Sequence, residues 1–381
     1  MTETTRLLRD LVALPSINPM GRPLQGPQVY EHQVTAYLEG FFRTLAVPYE
    51  RQPVAPLRDN IVARCPAPDA HRTLLLEAHQ DTVPVDNMTI DPFAAVIDHD
   101  RLYGRGACDI KGGMAAMLAA FARLAREQPH GRCSLVMACT VDEEHTFRGV
   151  TKLVERGVRA DMAVVAEPTR LEIVRAHKGV VRWHVSTSGR SCHSSSPEQG
   201  VNAIYRMGRL LVGIEQYAER LRASRADPLL GPPTLSVGRI EGGTSVNTVP
   251  DRCLVEVDRR LIPGEDAAAA PAQLTAFLKE QAGIDFPFEC SPPRMGNPAL
   301  RPDGSEDLVA RLGRAVDAVK GSHRVTVVPY GTDAATIAAA GVPAVVFGPG
   351  DIAQAHTCDE WVSLDEVAAA SEILYRLACT A

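Results

Sequence analysis

The sequence lacks a marked excess of charge, a long hydrophobic run and any C-x-x-C pair. Its 381 residues include 40 basic and 46 acidic ones, for a net charge of −6, so the basic footprint that phosphate-backbone binding requires is missing. No apolar stretch approaches the roughly 20 residues that span a bilayer. With 45% hydrophobic and 23% charged residues, the composition is that of a globular protein. We therefore expect neither a nucleic acid nor a membrane as a partner.

The cysteines also exclude a disulfide-stapled scaffold. There are nine of them, an odd number without regular spacing, which indicates reduced thiols. The first six residues, MTETTR, lack the charged and apolar segments of a signal peptide. These features predict a cytoplasmic location.

The length exceeds what one hydrophobic core usually organises, so two domains are expected. Short apolar runs at 73–78, 161–166 and 342–347 predict buried strands, and the Ala-, Leu- and Met-rich stretch 112–126 predicts a helix. Strands that alternate with helices indicate an α/β domain with a mostly parallel sheet and helices on both faces.

The pattern changes between about residue 175 and residue 292. Here the predicted order is β-α-β-β-α-β, which is typical of a ferredoxin-like α+β unit, and the proline-rich 291–293 closes it like a linker. We expect residues 1–174 and 293–381 to form the catalytic domain and 175–292 to form an inserted domain.

Acidic and imidazole side chains follow the predicted strands of the α/β domain. The positions concerned are His79, Asp81, Glu143, Glu144, Glu167 and, after a glycine-rich loop, His356. Asp109 lies in the loop 104–109 that precedes the predicted helix. Because ligands of open α/β sheets bind at the carboxyl ends of the strands, these residues are candidates for one site. Any one of them alone could be a solvated turn residue, and Asp109 could simply cap its helix.

The chemistry of such a cluster favours a metal. Converging carboxylates repel one another unless cations lie among them, and a mixture of imidazole and carboxylate ligands suits zinc, with manganese or cobalt as substitutes. Neighbouring side chains in an extended segment point to opposite sides, so one of Glu143 and Glu144 can bind metal while the other serves as general base. His79 and Asp81 point the same way, so Asp81 can accept the second ring N–H of His79.

Several strings together resemble the di-zinc aminoacylase and carboxypeptidase family of metallohydrolases. They are AHQDTVP at 78–84, GRGACDIKGG at 104–113, DEE at 142–144, AEPT at 166–169, AHKG at 176–179 and GTDA at 331–334. The resemblance covers nearly the whole chain in family order. Within the family, the string at 348–356 is most similar to the acetylornithine deacetylase branch.

The resemblance implies a role for each residue of the cluster. Asp109 would bridge two zinc ions. His79 and Glu167 would complete one site, and Glu144 and His356 the other. Glu143 would be the general base and Asp81 an orienting carboxylate.

The resemblance also assigns roles to the inserted domain, which would be the family's lid and dimerisation domain. His193 would stabilise the oxyanion, often from the partner subunit, so a homodimer is expected. Asn247 and Arg260 would contact the substrate carboxylate, for which the planar guanidinium of Arg260 is suited, and Gly331 would contribute to substrate binding.

The implied reaction is hydrolysis of a small N-acyl amino acid or a dipeptide, and the substrate class stays open at this point. A deacylase of acetylated or succinylated amino acids, a desuccinylase and a dipeptidase or carboxypeptidase are all compatible with the strings. A non-catalytic relative would be expected to lack a ligand or the base. A Mg²⁺-dependent phosphoryl-transfer site would leave both histidines unexplained. Cys108 and Cys358 offer thiolates near the cluster, although the carboxylate and imidazole set is complete without them.

Overall fold

The computed structural model describes residues 1–379, which form two compact units. The first unit comprises Met1–Ala176, Arg301–Val327 and the chain from Thr332 onward, and the second comprises His177–Leu300 and Val328–Gly331.

In the described chain the α-helices are α1 Glu3–Val12, α2 His32–Thr44, α3 Gly112–Glu127, α4 Arg148–Glu155, α5 Ala203–Arg222, α6 Ala270–Glu280, α7 Glu306–Lys320, α8 Asp333–Ala339 and α9 Leu364–Cys379. The strands are β1 Tyr49–Ala55, β2 Arg58–Cys65, β3 Thr73–His79, β4 Val96–Asp98, β5 Arg101–Tyr103, β6 Ser134–Thr140, β7 Met162–Val165, β8 Ile173–His177, β9 Gly179–Ser188, β10 Thr234–Gly242, β11 Arg252–Leu261, β12 Phe288–Cys290, β13 Met295–Asn297, β14 Val325–Val328, β15 Ala344–Val346 and β16 Trp361–Ser363.

The first unit is built on an eight-stranded sheet with the order β1-β2-β6-β3-β7-β15-β8-β14. Its central strands β6, β3, β7 and β15 run parallel, whereas β2 pairs antiparallel with β6 and β8 pairs antiparallel with β15. The central strands are almost continuously apolar because helices cover both faces of the sheet. A small sheet with the order β16-β5-β4 accompanies it.

Helix α3 lies at the centre of the core of this unit. Its side chains are buried on nearly every side, and it packs against α1 and α9. Gly113 allows a close approach to the sheet, since a Cβ at this position would lie 2.9 Å from Cβ of Ala166. The helix therefore begins directly beside the carboxyl end of β7.

The second unit is a ferredoxin-like α+β fold. Its sheet has the order β10-β11-β9-β12, with β13 also paired to β9, and the four ladders are antiparallel. Helices α5 and α6 cover one face over a core that includes Trp183, Val255 and Leu274. Asn202 caps α5, because its side chain accepts the backbone N–H groups of residues 204 and 205.

The predicted fold class is confirmed: an α/β domain with a central parallel sheet and a ferredoxin-like unit within it. The second unit extends past residue 292 to Leu300, because β13 pairs with β9 and Leu300 bridges to His177. Within residues 1–379, no helix combines the length and the hydrophobicity needed to cross a bilayer.

Candidate metal centre

The carboxyl ends of the central strands bring the predicted cluster together in the first unit. His79 is the last residue of β3, Glu143 and Glu144 follow β6, and Glu167 follows β7. Since these strands are parallel neighbours, their carboxyl ends lie at the same edge of the sheet. His356 reaches the same place from the loop after β15, and its backbone has a φ of 61°.

Asp109 lies between the two histidines. Its Oδ1 is 3.3 Å from Nε2 of His79, and its Oδ2 is 3.2 Å from Nε2 of His356. Nε2 of His356 is also 3.4 Å from Oε2 of Glu144. One carboxylate thus presents a different oxygen to each imidazole, which is the arrangement that a ligand shared between two metal ions requires.

Two groups of ligand atoms are close enough to hold a cation each. They are His79 with Asp109 and Glu167, and Asp109 with Glu144 and His356, and the ligand atoms of each group lie within 4.8 Å of one another. Nε2 of His79 and Oε1 of Glu144 are buried and have no hydrogen-bond partner within residues 1–379. Because buried polar atoms are normally satisfied, these two atoms fit a bound cation.

The electrostatics of the cluster point the same way. Burial and the neighbouring carboxylates raise the pKa of Glu143, Glu144 and Glu167 above the ordinary range. The pKa of Asp109 is lowered, because its burial is outweighed by its contact with His356 and by the charges of the two histidines. The same contacts raise the pKa of His356 to about 11 despite its burial. The cluster therefore has an excess of buried negative charge that bound cations would offset.

Asp81 fixes the backbone that carries Glu143 and Glu144. Its Oδ1 accepts the N–H of Glu143 at 3.1 Å, and its Oδ2 accepts the N–H of Glu144 at 3.2 Å. Nδ1 of His79 lies 3.0 Å from the backbone carbonyl oxygen of Asp81 and 3.6 Å from its carboxylate. The structure thus differs from the predicted carboxylate–imidazole bond, because the carboxylate is turned towards the backbone of the DEE segment.

A buried network of charged and polar side chains holds Asp81 in place. Asn18 donates to Asp81 at 2.8 Å and to Asp142 at 3.0 Å. Arg58 donates to Asp142 at 2.7 Å and also pairs with Glu31. Burial raises the pKa of Glu31 to about 7, against the opposing effect of Arg58. The network anchors the segment that carries the predicted base to β2 and α2.

A second pair of buried carboxyl groups, Glu77 and Asp333, lies near His79 and Glu143. The hydroxyl of Thr140 is 2.6 Å from Oε1 of Glu77 and 3.0 Å from Oδ2 of Asp333. A hydroxyl has one proton to donate, so the other contact needs a proton on the carboxyl group. In agreement, burial raises the pKa of Glu77 to about 7 and that of Asp333 well above its ordinary value.

The remaining predicted residues belong to the second unit. His193 is exposed, its Nδ1 lies 2.7 Å from Oγ of Ser195, and it bridges to Thr248. The carbonyl of Asn247 accepts the N–H of Ser194 at 3.0 Å, so His193 and Asn247 lie on adjacent segments.

Arg260 and Gly331 lie in another part of this unit. Nε of Arg260 is 2.8 Å from Oδ1 of Asp258, and Arg260 is the register partner of Val180. A Cβ on Gly331 would be 3.5 Å from Cγ1 of Val180 and 3.3 Å from the carbonyl oxygen of Lys178. The absence of a side chain therefore lets this backbone pass close to β9.

Sequence reasoning missed several charged or polar residues around the metal-ligand cluster. They are Asn18, Glu31, Arg58, Glu77, Asp333 and Glu360. Two of them carried a signal. A carboxylate in the apolar string TLLLEA, that of Glu77, has to be buried with a partner, and Asp333 lies in the string GTDA at 331–334. The others are distant in sequence from the residues that they contact.

Comparisons with known proteins agree with this geometry. Residues 75–380 match Peptidase family M20/M25/M40. An acetylornithine deacetylase from Myxococcus xanthus is 36% identical over 308 residues, which are 80% of this chain and 78% of that protein. An acetylornithine deacetylase from Pectobacterium carotovorum is 31% identical over 375 residues, which are 97% of this chain and 95% of the relative.

Solved structures share the fold at lower sequence identity. An M20 family metallo-carboxypeptidase from Sulfolobus solfataricus superposes with a TM-score of 0.80 at 21% identity, covering 100% of this chain and 99% of the other. A dinuclear metal-binding peptidase of the M20 family from Bacillus subtilis has a TM-score of 0.69 at 18% identity, covering 99% and 97%. The family predicted from the motifs is confirmed. The chain belongs to peptidase family M20/M25/M40 and is a metal-dependent amidohydrolase.

Proposed function

We propose that this protein hydrolyses the amide bond of N-acylated amino acids, with N-acetylornithine as the first substrate to test. The observation that carries the proposal is the position of the Asp109 carboxylate between the ring nitrogens of His79 and His356, with Glu143 close to His79 and Glu167 in the same cluster. The choice of acyl group and side chain rests on the relatives that are acetylornithine deacetylases.

We assign one zinc ion to His79, Asp109 and Glu167 and a second to Asp109, Glu144 and His356. Tetrahedral ligands at about 2.0–2.2 Å from zinc lie roughly 3.3–3.6 Å from one another. The separations of 3.2 to 3.4 Å among Asp109, His79, His356 and Glu144 are close to that range. Both groups combine imidazole nitrogen with carboxylate oxygen, a donor set that suits zinc.

Two such cations, when bound, supply Lewis-acid activation of the attacking water and of the scissile carbonyl. Glu143 then accepts a proton from that water as its oxygen bonds to the carbonyl carbon. As the carbon–nitrogen bond breaks, Glu143 gives the proton to the leaving amine. Burial and neighbouring carboxylates raise the pKa of Glu143, which favours a group that must both take and release a proton.

Asp81 serves this step by positioning the base. Its two carboxylate oxygens hold the N–H groups of Glu143 and Glu144, so the turn that carries both side chains is fixed. One stays available to the water and the other to a metal ion.

For the second unit, we propose the contacts that the family resemblance implies. His193 would stabilise the developing oxyanion, Asn247 and Arg260 would bind the α-carboxylate of the substrate, and Gly331 would leave room for it. A substrate held at its carboxylate presents its amide in a fixed orientation, which lowers the entropic cost of attack.

We further propose that two copies associate through α5 and β10. Strand β10 stands at the end of its sheet, and the surface nearby exposes Tyr205 by 77%, Val212 by 56% and Ile240 by 54%. An unpaired edge flanked by exposed apolar side chains is suited to a symmetric contact with a second copy.

Hybrid dimers test the proposed role of His193 across this contact. His193→Ala protein mixed with Glu143→Ala protein should regain activity, because some hybrids would hold one intact set of groups. No recovery, despite subunit exchange proven with differently tagged chains, would mean that His193 acts within its own chain or not at all.

A substrate panel tests the reaction. Purified protein with Zn²⁺ is incubated with N-acetylornithine, N-succinyl-diaminopimelate and a set of dipeptides, and release of free amine is measured. We expect the highest kcat/KM on the acetylated amino acid. A preference for dipeptides would replace the deacylase proposal with a peptidase, and the absence of hydrolysis across the panel would contradict both.

A further inference from the structure

A buried ion pair outside the ligand set, Arg105 with Glu360, lies against the backbone of the proposed ligand Asp109. The side chains of the pair are 1% and 0% exposed, and Nη1 of Arg105 is 2.6 Å from Oε2 of Glu360. Neither residue is among the proposed ligands, the base or the substrate contacts. Burying both charges of such a pair costs free energy because they lose their hydration. The contacts that the pair makes therefore indicate its role.

Glu360 binds the loop that carries Asp109. Its Oε1 accepts the N–H groups of Cys108 at 2.9 Å and Asp109 at 3.0 Å, and its Oε2 accepts the N–H of Gly106 at 3.1 Å. With Arg105, one carboxylate thus accepts four donors from residues 105–109. The loop contains the left-handed Gly106 at φ 83°, so its backbone turns around the carboxylate.

The chain topology places Glu360 beside this loop. Glu360 directly precedes β16, which pairs antiparallel with β5, and β5 ends immediately before Gly104. The N–H of Gly104 also donates to the backbone carbonyl of Glu360 at 3.0 Å. The pairing of β16 with β5 therefore fixes the position at which the Glu360 carboxylate contacts the loop that carries Asp109.

Arg105 extends the same network to His356. Its Nη2 donates to Oδ1 of Asn87 at 3.2 Å, and Nδ2 of Asn87 donates to the carbonyl of His356 at 3.2 Å. His356 has the left-handed φ of 61°, which a residue with a side chain keeps only where its surroundings hold it. The network thus contacts the backbone of both Asp109 and His356.

We propose that Glu360, Arg105 and Asn87 are positioning residues that set the separation of Asp109 and His356, and with it the affinity for the second metal ion. The inference rests on the ligand roles given under the proposed function. The network contacts Asp109, which both ligand groups share, and His356, which belongs to the second group alone. Its loss should therefore disturb two ligands of the ion held by Asp109, Glu144 and His356 but only one ligand of the other ion, and the former should be weakened more. Groups behind metal ligands typically change affinity about 10- to 100-fold when removed.

Titration of the full-length metal-free protein with Co²⁺ tests this. The variants are Glu360→Gln, whose amide NH₂ would face backbone N–H groups, and Asn87→Ala, which removes an exposed side chain and only the link to His356. The control is Glu265→Gln in the second unit. Glu265 likewise accepts hydrogen bonds from a buried arginine, Arg259, and from one backbone N–H, that of Ile262. Binding isotherms and visible Co²⁺ absorption are recorded, with thermal melting of the metal-free forms.

We expect the wild type and Glu265→Gln to bind two Co²⁺ with the same spectrum. Asn87→Ala should bind the first ion normally and the second at least about tenfold more weakly, with a changed spectrum at two equivalents. Glu360→Gln also loses support for the shared ligand Asp109, so it should bind both ions more weakly and the second by the larger factor. Asn87→Ala should keep the melting temperature of the wild type, so it decides the question if Glu360→Gln does not fold.

Wild-type affinity and spectrum in both variants, or in Asn87→Ala alone if Glu360→Gln does not fold, would overturn the inference. A wild type that binds two Co²⁺ but hydrolyses nothing in the substrate panel would contradict the proposed function and leave the positioning role standing. A wild type that binds fewer than two would overturn both.

Discussion

Nδ1 of His79 is hydrogen-bonded to the backbone carbonyl of Asp81, not to its carboxylate. The orientation of the imidazole therefore depends on the main chain at position 81, and the carboxylate is left to hold the backbone of Glu143 and Glu144. The two jobs of this residue can be separated by mutation.

Asp81→Asn should lower kcat by about 10- to 100-fold while the affinity for metal at His79 changes little. The backbone carbonyl remains, but one amide NH₂ group would face the N–H of Glu143 or Glu144 and displace it. Steady-state kinetics with metal-saturated protein and direct metal titration measure the two effects. If metal affinity fell and kcat per loaded site stayed constant, Asp81 would act through His79 instead.

Glu143→Ala should reduce kcat by about 10²- to 10⁴-fold, the range for loss of a general base, with two metal ions retained per chain. The matched control is Glu144→Ala, which should lose one ion because Glu144 belongs to the second ligand group. Metal analysis after dialysis distinguishes them. Loss of metal in the Glu143 variant would show that the roles of these neighbours have been exchanged.

Metal removal should make stability fall as pH rises. The pKa of Glu77 and that of Glu31 are raised from 4.5 to about 7 in the folded state, so at these two groups the folded protein binds more protons than the unfolded chain. The stability that comes from keeping these two carboxyl groups protonated is fully present below pH 4.5 and is lost as the pH increases through 7. The raised pKa of His356 acts in the same direction, up to about 11.

Denaturant unfolding in the presence of a chelator, at about pH 5 and about pH 8, measures this effect. Added Zn²⁺ should flatten the dependence by stabilising the ionised ligands. Glu77→Gln should flatten it in part, because the amide does not titrate. A metal-free protein that is more stable at the higher pH would contradict the assignment.

Arg58→Ala should cost about 3–5 kcal/mol of unfolding free energy, because it leaves buried carboxylates without their cation. The side chain of Arg58 is 7% exposed and that of Glu31 is 0% exposed. The matched control is Arg64→Ala, whose partner Glu50 is exposed like itself and whose loss should cost less than about 1 kcal/mol. Equal losses of unfolding free energy in the two variants would mean that the buried network contributes no more stability than a surface ion pair.

The sequence predicted strongly patterned elements and little of the connecting structure. The strand at Thr73–His79 and the helix at Gly112–Glu127 were predicted to within one residue, because apolar periodicity reports burial directly. Strands β1 and β2 were not predicted. The burial pattern of β1 is largely exposed, and such a strand depends on its neighbour rather than on its own composition.

The candidate site likewise combines features that the sequence could predict with features that it could not. The grouping of the proposed ligands could be predicted because strand ends mark a ligand-binding edge, and the motifs named the individual residues. The contacts of Glu360 could not, since they depend on the pairing of Trp361–Ser363 with Arg101–Tyr103, two short strands separated by most of the chain. The bond between His79 and the Asp81 carbonyl is equally invisible in sequence, because it involves the main chain.

The second unit interrupts the first one between Ala176 and Arg301, and this has a consequence for biogenesis. Chains are synthesised from the amino terminus and fold progressively. His79, Asp109 and Glu167 all precede the interruption, whereas His356 is made only after it. A nascent chain thus contains all three proposed ligands of one metal ion long before the proposed ligands of the other are complete, because Asp109 is made well before His356.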